Sequence, residues 1–409
     1  MPTDRYGNSL ATSAAAAARY IVGIDALFAA RTGVLEALAE AVAIDPDFAL
    51  GHAALARAHQ MFGNRAPAKA AIAKARELAV RLSGREASHI AAMGLVLDGQ
   101  GAAAISAIGA HLELYPRDAM ALSPCVGVFG LYGFSGENDR AAKLRVLLDG
   151  LAPHYGDDWW FLAMRAFALI ETGALAEGRD LVERALAIEP DDAHAIHIQA
   201  HANYEAGEIA AGGPAQGAFM ASYPRAGMLH CHNQWHLALW ALKAGAVTDA
   251  FAIYDASVAP DAIWGPALNV VTDAAAFAMR AQLMGATLPA GTWAQILAYG
   301  KREFPRAGLA FGDVHIALAA AMVGDEAELE ARATGTRGPA QPMVARAAKG
   351  FLAYTKQDWP GAIDALGAVM PEHERFGGSL AQRDLFEEML AAACRHAGRS
   401  YASQRLRRL

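Results

Sequence analysis

FLAMRAFALIETGALAEGRDLVERALAIEP, residues 161–190, reads as two helices meeting at a glycine. Apolar residues recur three and four apart on either side of Gly173, the spacing of one helix face and not of a strand. The first helix is expected to bury Leu162, Ala166 and Leu169, and the second Leu181, Ala185 and Ile188. Glycine suits the joint because it reaches the left-handed conformation that ends many helices. Pro190 closes the unit, since proline cannot continue a helix but is tolerated where the next begins.

The same grammar recurs outward from this unit. Prolines at 46, 116, 153, 190 and 224 are separated by 70, 37, 37 and 34 residues, the first gap being two units of 35, and Pro260 follows after 36. Each opens a segment with apolar helical spacing, and Gly63, Gly173, Gly207 and Gly245 mark the internal turns. Asp47, Asp191 and Asp261 directly follow their prolines, where a carboxylate favours a helix N-terminus. A period near 34 with this pattern is the tetratricopeptide signature, and one hairpin cannot cover its own apolar face. The expected fold is all-α, a tetratricopeptide-type α-α superhelical solenoid curled around an inner cavity, forming one domain over 1–409. Regular units are expected over about 34–260. Over 261–409 the spacing loosens, with Pro305 and Pro371 farther apart and glycine and proline clusters at 285–292 and 335–342.

Composition agrees with helices and excludes several classes. The chain is 54% hydrophobic but only 8% aromatic, because alanine, the strongest helix former, carries much of the apolar share. With 35 basic against 42 acidic residues and no basic block, nucleic acid is not an expected partner. Cys125, Cys231 and Cys394 are too few and too scattered for a disulfide framework or a CxxC metal site. No stretch reaches the roughly 18 apolar residues of a membrane helix, and Asp4, Arg5 and Arg19 break up the N-terminal apolar run. A cytoplasmic protein without membrane contact is expected. GLYGFSGENDR, residues 130–140, lacks the lysine of a phosphate loop and reads as an inter-helix turn.

One helix departs from this plain chemistry. LHCHNQWHLALWALKAG, residues 229–245, places His232 and His236 one turn apart, with Trp235 and Trp240 on the same arc and His230 at the helix start. The preceding unit carries His197 and His201, again four apart. Counted from the repeat prolines, His197 and His201 stand 7 and 11 residues past Pro190, and His232 and His236 stand 8 and 12 past Pro224. These are equivalent slots on adjacent first helices, so stacking brings four imidazoles together. Trp160 lies 7 past Pro153, Asp313 lies 8 past Pro305, and Ser379 and Arg383 lie 8 and 12 past Pro371. Ser379 also suits an N-cap with Gln382 at the third position, and that role is preferred to a nucleophilic one.

CHNQWHLALWALKAG followed by AFAIYD, with HAIHIQAHANYEAG, FGDVHIALA and GGSLAQRDLFEEMLAAA, resembles the tetratricopeptide repeat protein 38 family. The likeness runs from the N-terminal tyrosine-containing helix to about residue 395. Its most specific parts are the H-x-x-W-H-x-A-L core and the G-G-S-x-A-Q-R-D string. Many relatives carry two aromatics where this chain has Gln234 and Trp235, so Trp235 is the retained one. The resemblance implies a tetratricopeptide-type solenoid and no particular reaction.

The first functional expectation is therefore a histidine-rich interior binding a small molecule, either as a binding site or as an acid/base enzyme of hydrolase or lyase type. His232 or His236 would serve as general acid/base, Asp313 as orienter and Arg383 as anion clamp. His197, His201, Trp160, Trp235, Trp240, His315 and Asp384 would line the ligand site. No cofactor is required by this reading. A sharper variant gives His197, His201, His232 and His236 to zinc or another divalent metal, although neither pair carries the H-E-x-x-H glutamate. The alternative is a scaffold holding a protein or peptide in a concave groove. The basic tail RHAGRSYASQRLRRL is a third feature, offering self-association as a homodimer.

Overall fold

The structure, a computed structural model, describes residues 1–262 and 265–402. Part of the basic tail, residues 403–409, lies outside the described residues. Successive helices pair as α1 (Ala14–Phe28) with α2 (Val34–Ile44), α3 (Ala49–Met61) with α4 (Arg65–Ala79), and α5 (Gly84–Leu97) with α6 (Gly101–Leu114). A short α7 (Ala119–Leu122) and turns lead to α8 (Arg140–Tyr155), α9 (Trp159–Glu171) and α10 (Leu175–Ile188). Then come α11 (Ala193–Ala206), α12 (Ile209–Met220), α13 (His230–Lys243), α14 (Val247–Ser257), α15 (Ala267–Leu283) and α16 (Thr292–Glu303). The series ends with α17 (Ala310–Val323), α18 (Glu326–Gly335), α19 (Gln341–Thr355), α20 (Trp359–Val369) and α21 (Leu380–His396). Among the described residues the only β-type pairing is an isolated bridge between Thr3 and Ser9. The all-α hairpin architecture is as expected, and GLYGFSGENDR is a turn region leading into α8.

Two compact units result. The first comprises Met1–Tyr132, Leu144–Ala168 and Asp180–Ala195; the second comprises Gly133–Lys143, Leu169–Arg179 and the chain from Ile196 onward. In the first, Tyr20 meets Phe48 edge to face at 5.2 Å, and Phe28 stacks on Trp160 at 4.2 Å. In the second, Phe277 of α15 stacks on Tyr254 at 4.6 Å and is fully buried. Trp235, Phe351 and Phe386 are buried in the same continuous core, so α13, α15, α19 and α21 share one apolar interior.

Local rules hold where backbone geometry dictates them and shift where side chains compete. The hinge glycines 63, 173, 207 and 245 all have φ between 70° and 85°, which any larger residue would adopt with strain. In the 161–190 unit, Leu162, Ala166, Leu169, Leu181 and Ala185 are buried as expected, but Ile188, at the C-terminal end of α10, is half exposed. Pro153 lies inside the last turn of α8 rather than opening the next helix. The capping carboxylates sit two residues past the repeat prolines, not one. Asp118 accepts from the Ala121 N–H at 3.2 Å and Asp192 from the His194 N–H at 2.9 Å, because the turn after proline consumes one extra residue. Asp47 is exposed, and Asp261 pairs with Arg302 at 2.8 Å. Among the described residues beyond 261, α15 is followed by α16, α17 by α18 and α19 by α20, with a longer connection over residues 284–291.

Small residues set how closely helices approach. A Cβ on Gly23 of α1 would meet the Leu38 side chain of α2 at 2.7 Å, whereas one on Gly109 of α6 would meet nothing within 4 Å. Gly23→Val should therefore lower unfolding free energy by about 1–3 kcal/mol through overpacking. Gly109→Ala should raise it by roughly 0.5–1 kcal/mol through helix propensity. Denaturant unfolding of the two variants checks both signs.

Candidate functional site

The equivalent slots on α11 and α13 do face one another, within the second unit. His197 Nε2 lies 2.9 Å from His201 Nε2 and 3.0 Å from His232 Nε2. The His236 ring packs within 4.7–5.2 Å of the other three ring centroids. One nitrogen from each of the four histidines falls within a set whose members are all within 4.8 Å of one another. All four side chains are buried, the most exposed being His197 at 6%. His230 begins α13 but stacks on Tyr223 instead, at 6.2 Å.

The chemistry of this convergence is restrictive. An imidazole nitrogen carries either a proton or a lone pair, never both. His197 Nε2 has two nitrogen neighbours at hydrogen-bond distance and can make a good N–H···N bond to only one of them. His236 Nε2 is buried and finds no hydrogen-bond partner among the described residues. Such a buried orphan costs about 1–3 kcal/mol. Burial pushes His236 well below the ordinary imidazole value, reinforced by the charges of His201, His232 and Arg280, so this ring is neutral at pH 7 and offers a lone pair. A single divalent ion would accept one lone pair from each ring. Around tetrahedral zinc the nitrogens would be ~3.3 Å apart, given Zn–N of about 2.0–2.1 Å. The closest observed pairs, at 2.9 and 3.0 Å, lie near that edge.

An outer shell orients the set. His232 Nδ1 donates to Asp273 Oδ2 at 2.7 Å, which leaves its Nε2 as the lone-pair nitrogen. Burial raises the Asp273 carboxyl above its ordinary range, against the opposing pull of His232 and the Gln382 hydrogen bond. The other Asp273 oxygen accepts from Gln382 Nε2 at 3.4 Å. Gln382 is itself held by a capping box at the start of α21. Ser379 Oγ accepts from the Gln382 N–H at 3.2 Å, while Gln382 Oε1 accepts from the Ser379 N–H at 3.0 Å. The serine is thus the cap that its sequence context suggests. Trp235 stacks on His232 with ring centroids 5.3 Å apart, and the Arg280 guanidinium lies 5.9 Å from the Trp235 ring centre.

Other expected site residues go elsewhere. Asp313 accepts from Arg332, Thr336 and the Gly308 N–H at 3.2, 3.0 and 2.8 Å, so it is tied into a buried ion pair and does not orient the histidines. Arg383 is buried, donates to the Gly378 carbonyl and lies 3.7 Å from Glu171, so its charge braces the turn before α21. Burial raises Glu171 to about 7, opposed by Arg383. Trp160 belongs to the first unit, stacked on Phe28, and is not among the groups around the histidines. Trp240 donates to Gln216 at 3.3 Å and fills the space over Gly212, a packing role. Asp384 is buried within electrostatic reach of Arg280 and Glu388. His315 donates to the Phe311 carbonyl at 2.8 Å and packs against Phe311 and Phe386.

Sequence reading missed Asp273, Gln382 and Arg280. Asp273 had a usable signal: it is the sole acidic residue of ALNVVTDAAAFAMRAQL, a helix otherwise apolar enough to be core. Gln382 was read only as half of a cap.

No family model matches the chain. Among solved structures it is similar to a crystal structure of the P58(IPK) TPR domain, at 14% identity with a TM-score of 0.21, covering 94% of this chain and 99% of that one. At that score the likeness adds nothing to the fold read from the helices. Among the described residues no helix is long and apolar enough to cross a membrane.

Burial lowers His315 to about 4 from an ordinary 6.5. Between those values the unfolded chain holds a proton that the folded chain does not, so stability falls as pH drops through that window. Compared with His315→Gln, the wild type should lose on the order of 2 kcal/mol more between pH 7 and pH 4.5. Denaturant midpoints measured across that range check it.

Proposed function

We propose that His197, His201, His232 and His236 hold one divalent transition-metal ion, zinc being the best match. On this reading the ion serves a small-molecule site inside the helical repeat, not a peptide groove. The observation that carries it is the convergence of four buried imidazoles, one nitrogen of each within 4.8 Å of the others, with His236 Nε2 finding no hydrogen-bond partner among the described residues. The Asp273 hydrogen bond to His232 supports it further, because metal-bound histidines almost always hand their second nitrogen to a carboxylate or carbonyl. Bound there, the ion would supply Lewis acidity and lower the pKa of coordinated water. Four imidazoles complete a tetrahedron, so turnover would require one ring to yield its place to substrate or water. His236 is the ring for that role, since it lies outside the chain of close Nε2 contacts that runs His201–His197–His232.

The burial of these side chains, 0–6% exposed, favours a small ligand over an extended peptide, which needs an open row of contacts. The chain is read as a relative of the tetratricopeptide repeat protein 38 family on its H-x-x-W-H-x-A-L and G-G-S-x-A-Q-R-D strings. Cytoplasmic location follows the same reading, with three buried cysteines, all free thiols.

The purified chain should carry close to one equivalent of metal by elemental analysis, or take up one Zn²⁺ per chain in a calorimetric titration. His232→Ala with His236→Ala should abolish uptake while helicity persists. Asp273→Asn should weaken affinity about 10- to 100-fold. Wild-type protein that neither carries nor binds metal overturns the proposal, and leaves His232 with Asp273 as a metal-free acid/base pair.

A further inference from the structure

A second cluster lies entirely within the first unit. Asp118, at the start of α7, is buried and accepts from His89 Nδ1 at 3.1 Å, His111 Nε2 at 3.1 Å and Arg85 Nη1 at 2.7 Å. Burial opposes its ionisation, yet His89, His111 and Arg85 together hold the carboxyl well below its ordinary range. Because His111 Nε2 donates to this carboxylate, its Nδ1 carries the lone pair. The Ser88 hydroxyl, half buried on α5, sits 2.7 Å from that Nδ1. The same three acidic and imidazole groups could gather a metal ion, but the Arg85 guanidinium already supplies the cation on Asp118 Oδ2.

We infer that Ser88, His111 and Asp118 form a nucleophile–base–orienter relay able to cleave small carboxylic esters, independent of the four-histidine site. The contacts match what such chemistry needs: a hydroxyl within hydrogen-bond reach of a base, and that base fixed in one tautomer by a buried carboxylate. Ser88 Oγ attacks the ester carbonyl carbon while its proton passes to His111 Nδ1. The tetrahedral oxyanion then collapses, the carbon–alkoxide bond breaks, and His111 returns the proton to the departing alcohol. Water repeats the sequence on the acyl-serine, giving carboxylic acid and free enzyme, so the net reaction is ester plus water to acid plus alcohol. The half-buried position of Ser88 suits small substrates with an unhindered acyl group.

The chain contains its own control. Ser106 on α6 bonds back to the Ala102 carbonyl at 3.2 Å, much as Ser88 also does to Gly84 at 3.2 Å and Arg85 at 3.1 Å, but it is exposed and, among the described residues, has no imidazole partner. The test is labelling of the full chain by a fluorophosphonate, read by peptide mass spectrometry, with p-nitrophenyl acetate hydrolysis in parallel and chelator present in both. Ser88 should label at least 100-fold faster than Ser106, within the range that a positioned general base contributes. His111→Gln should reduce Ser88 labelling to the Ser106 rate, and Ser88→Ala should remove ester turnover. Equal labelling of the two serines in the wild type overturns the inference without reliance on any variant. Labelling of Ser88 that survives His111→Gln overturns the relay.

Discussion

A helical hairpin exposes an apolar face that it cannot bury by itself, and the only available cover is the next hairpin. That constraint places position-equivalent residues of consecutive first helices side by side. Elsewhere those slots hold residues such as Trp160, Asp313, Ser379 and Arg383, each of which finds its own partner. On α11 and α13 they hold histidine twice over. Stacking then forces four imidazoles into a space sealed from water, with His197 within 3.0 Å of two neighbours. The same packing that stabilises the repeat brings one nitrogen from each of four buried imidazoles within 4.8 Å of the others.

Whether such a set is a defect or a site depends on what surrounds it. Here the surroundings are ordered from three directions. Trp235, on the same helix as His232 and His236, stacks on the His232 ring, and Asp273 of α15 fixes its tautomer. The capping box of α21 holds Gln382 against Asp273, so a feature that begins a helix also reaches the histidines two residues away in the hydrogen-bond chain. A cluster formed by accident of packing would have no need of this second layer. The Asp118 centre in the first unit shows the contrasting arrangement. There a guanidinium neutralises the carboxylate, and the imidazoles are donors to it.

The repeat architecture and the meeting of the four histidines were legible because both follow from period and register. Proline spacing located the hairpins, and counting from Pro190 and Pro224 put His197, His201, His232 and His236 in equivalent slots. The same counting failed for Asp313, Arg383 and Trp160. Register specifies a face, but the final partner is chosen by the nearest opposite charge or ring. Arg332 reaches Asp313, Glu171 faces Arg383 and Phe28 covers Trp160. Asp273 escaped notice because its partner lies 41 positions earlier, a separation that no local pattern encodes. Capping positions slipped by one residue for a similar reason: the turn after each proline has its own geometry.

Everything functional proposed for the second unit rests on one ion being shared by four imidazole nitrogens. X-ray absorption at the edge of the bound metal reads this directly. The expected spectrum has four nitrogen scatterers at about 2.0–2.1 Å, with the outer-shell scattering of imidazole rings. A first shell dominated by oxygen or sulfur, or one containing fewer than three imidazoles, would contradict it.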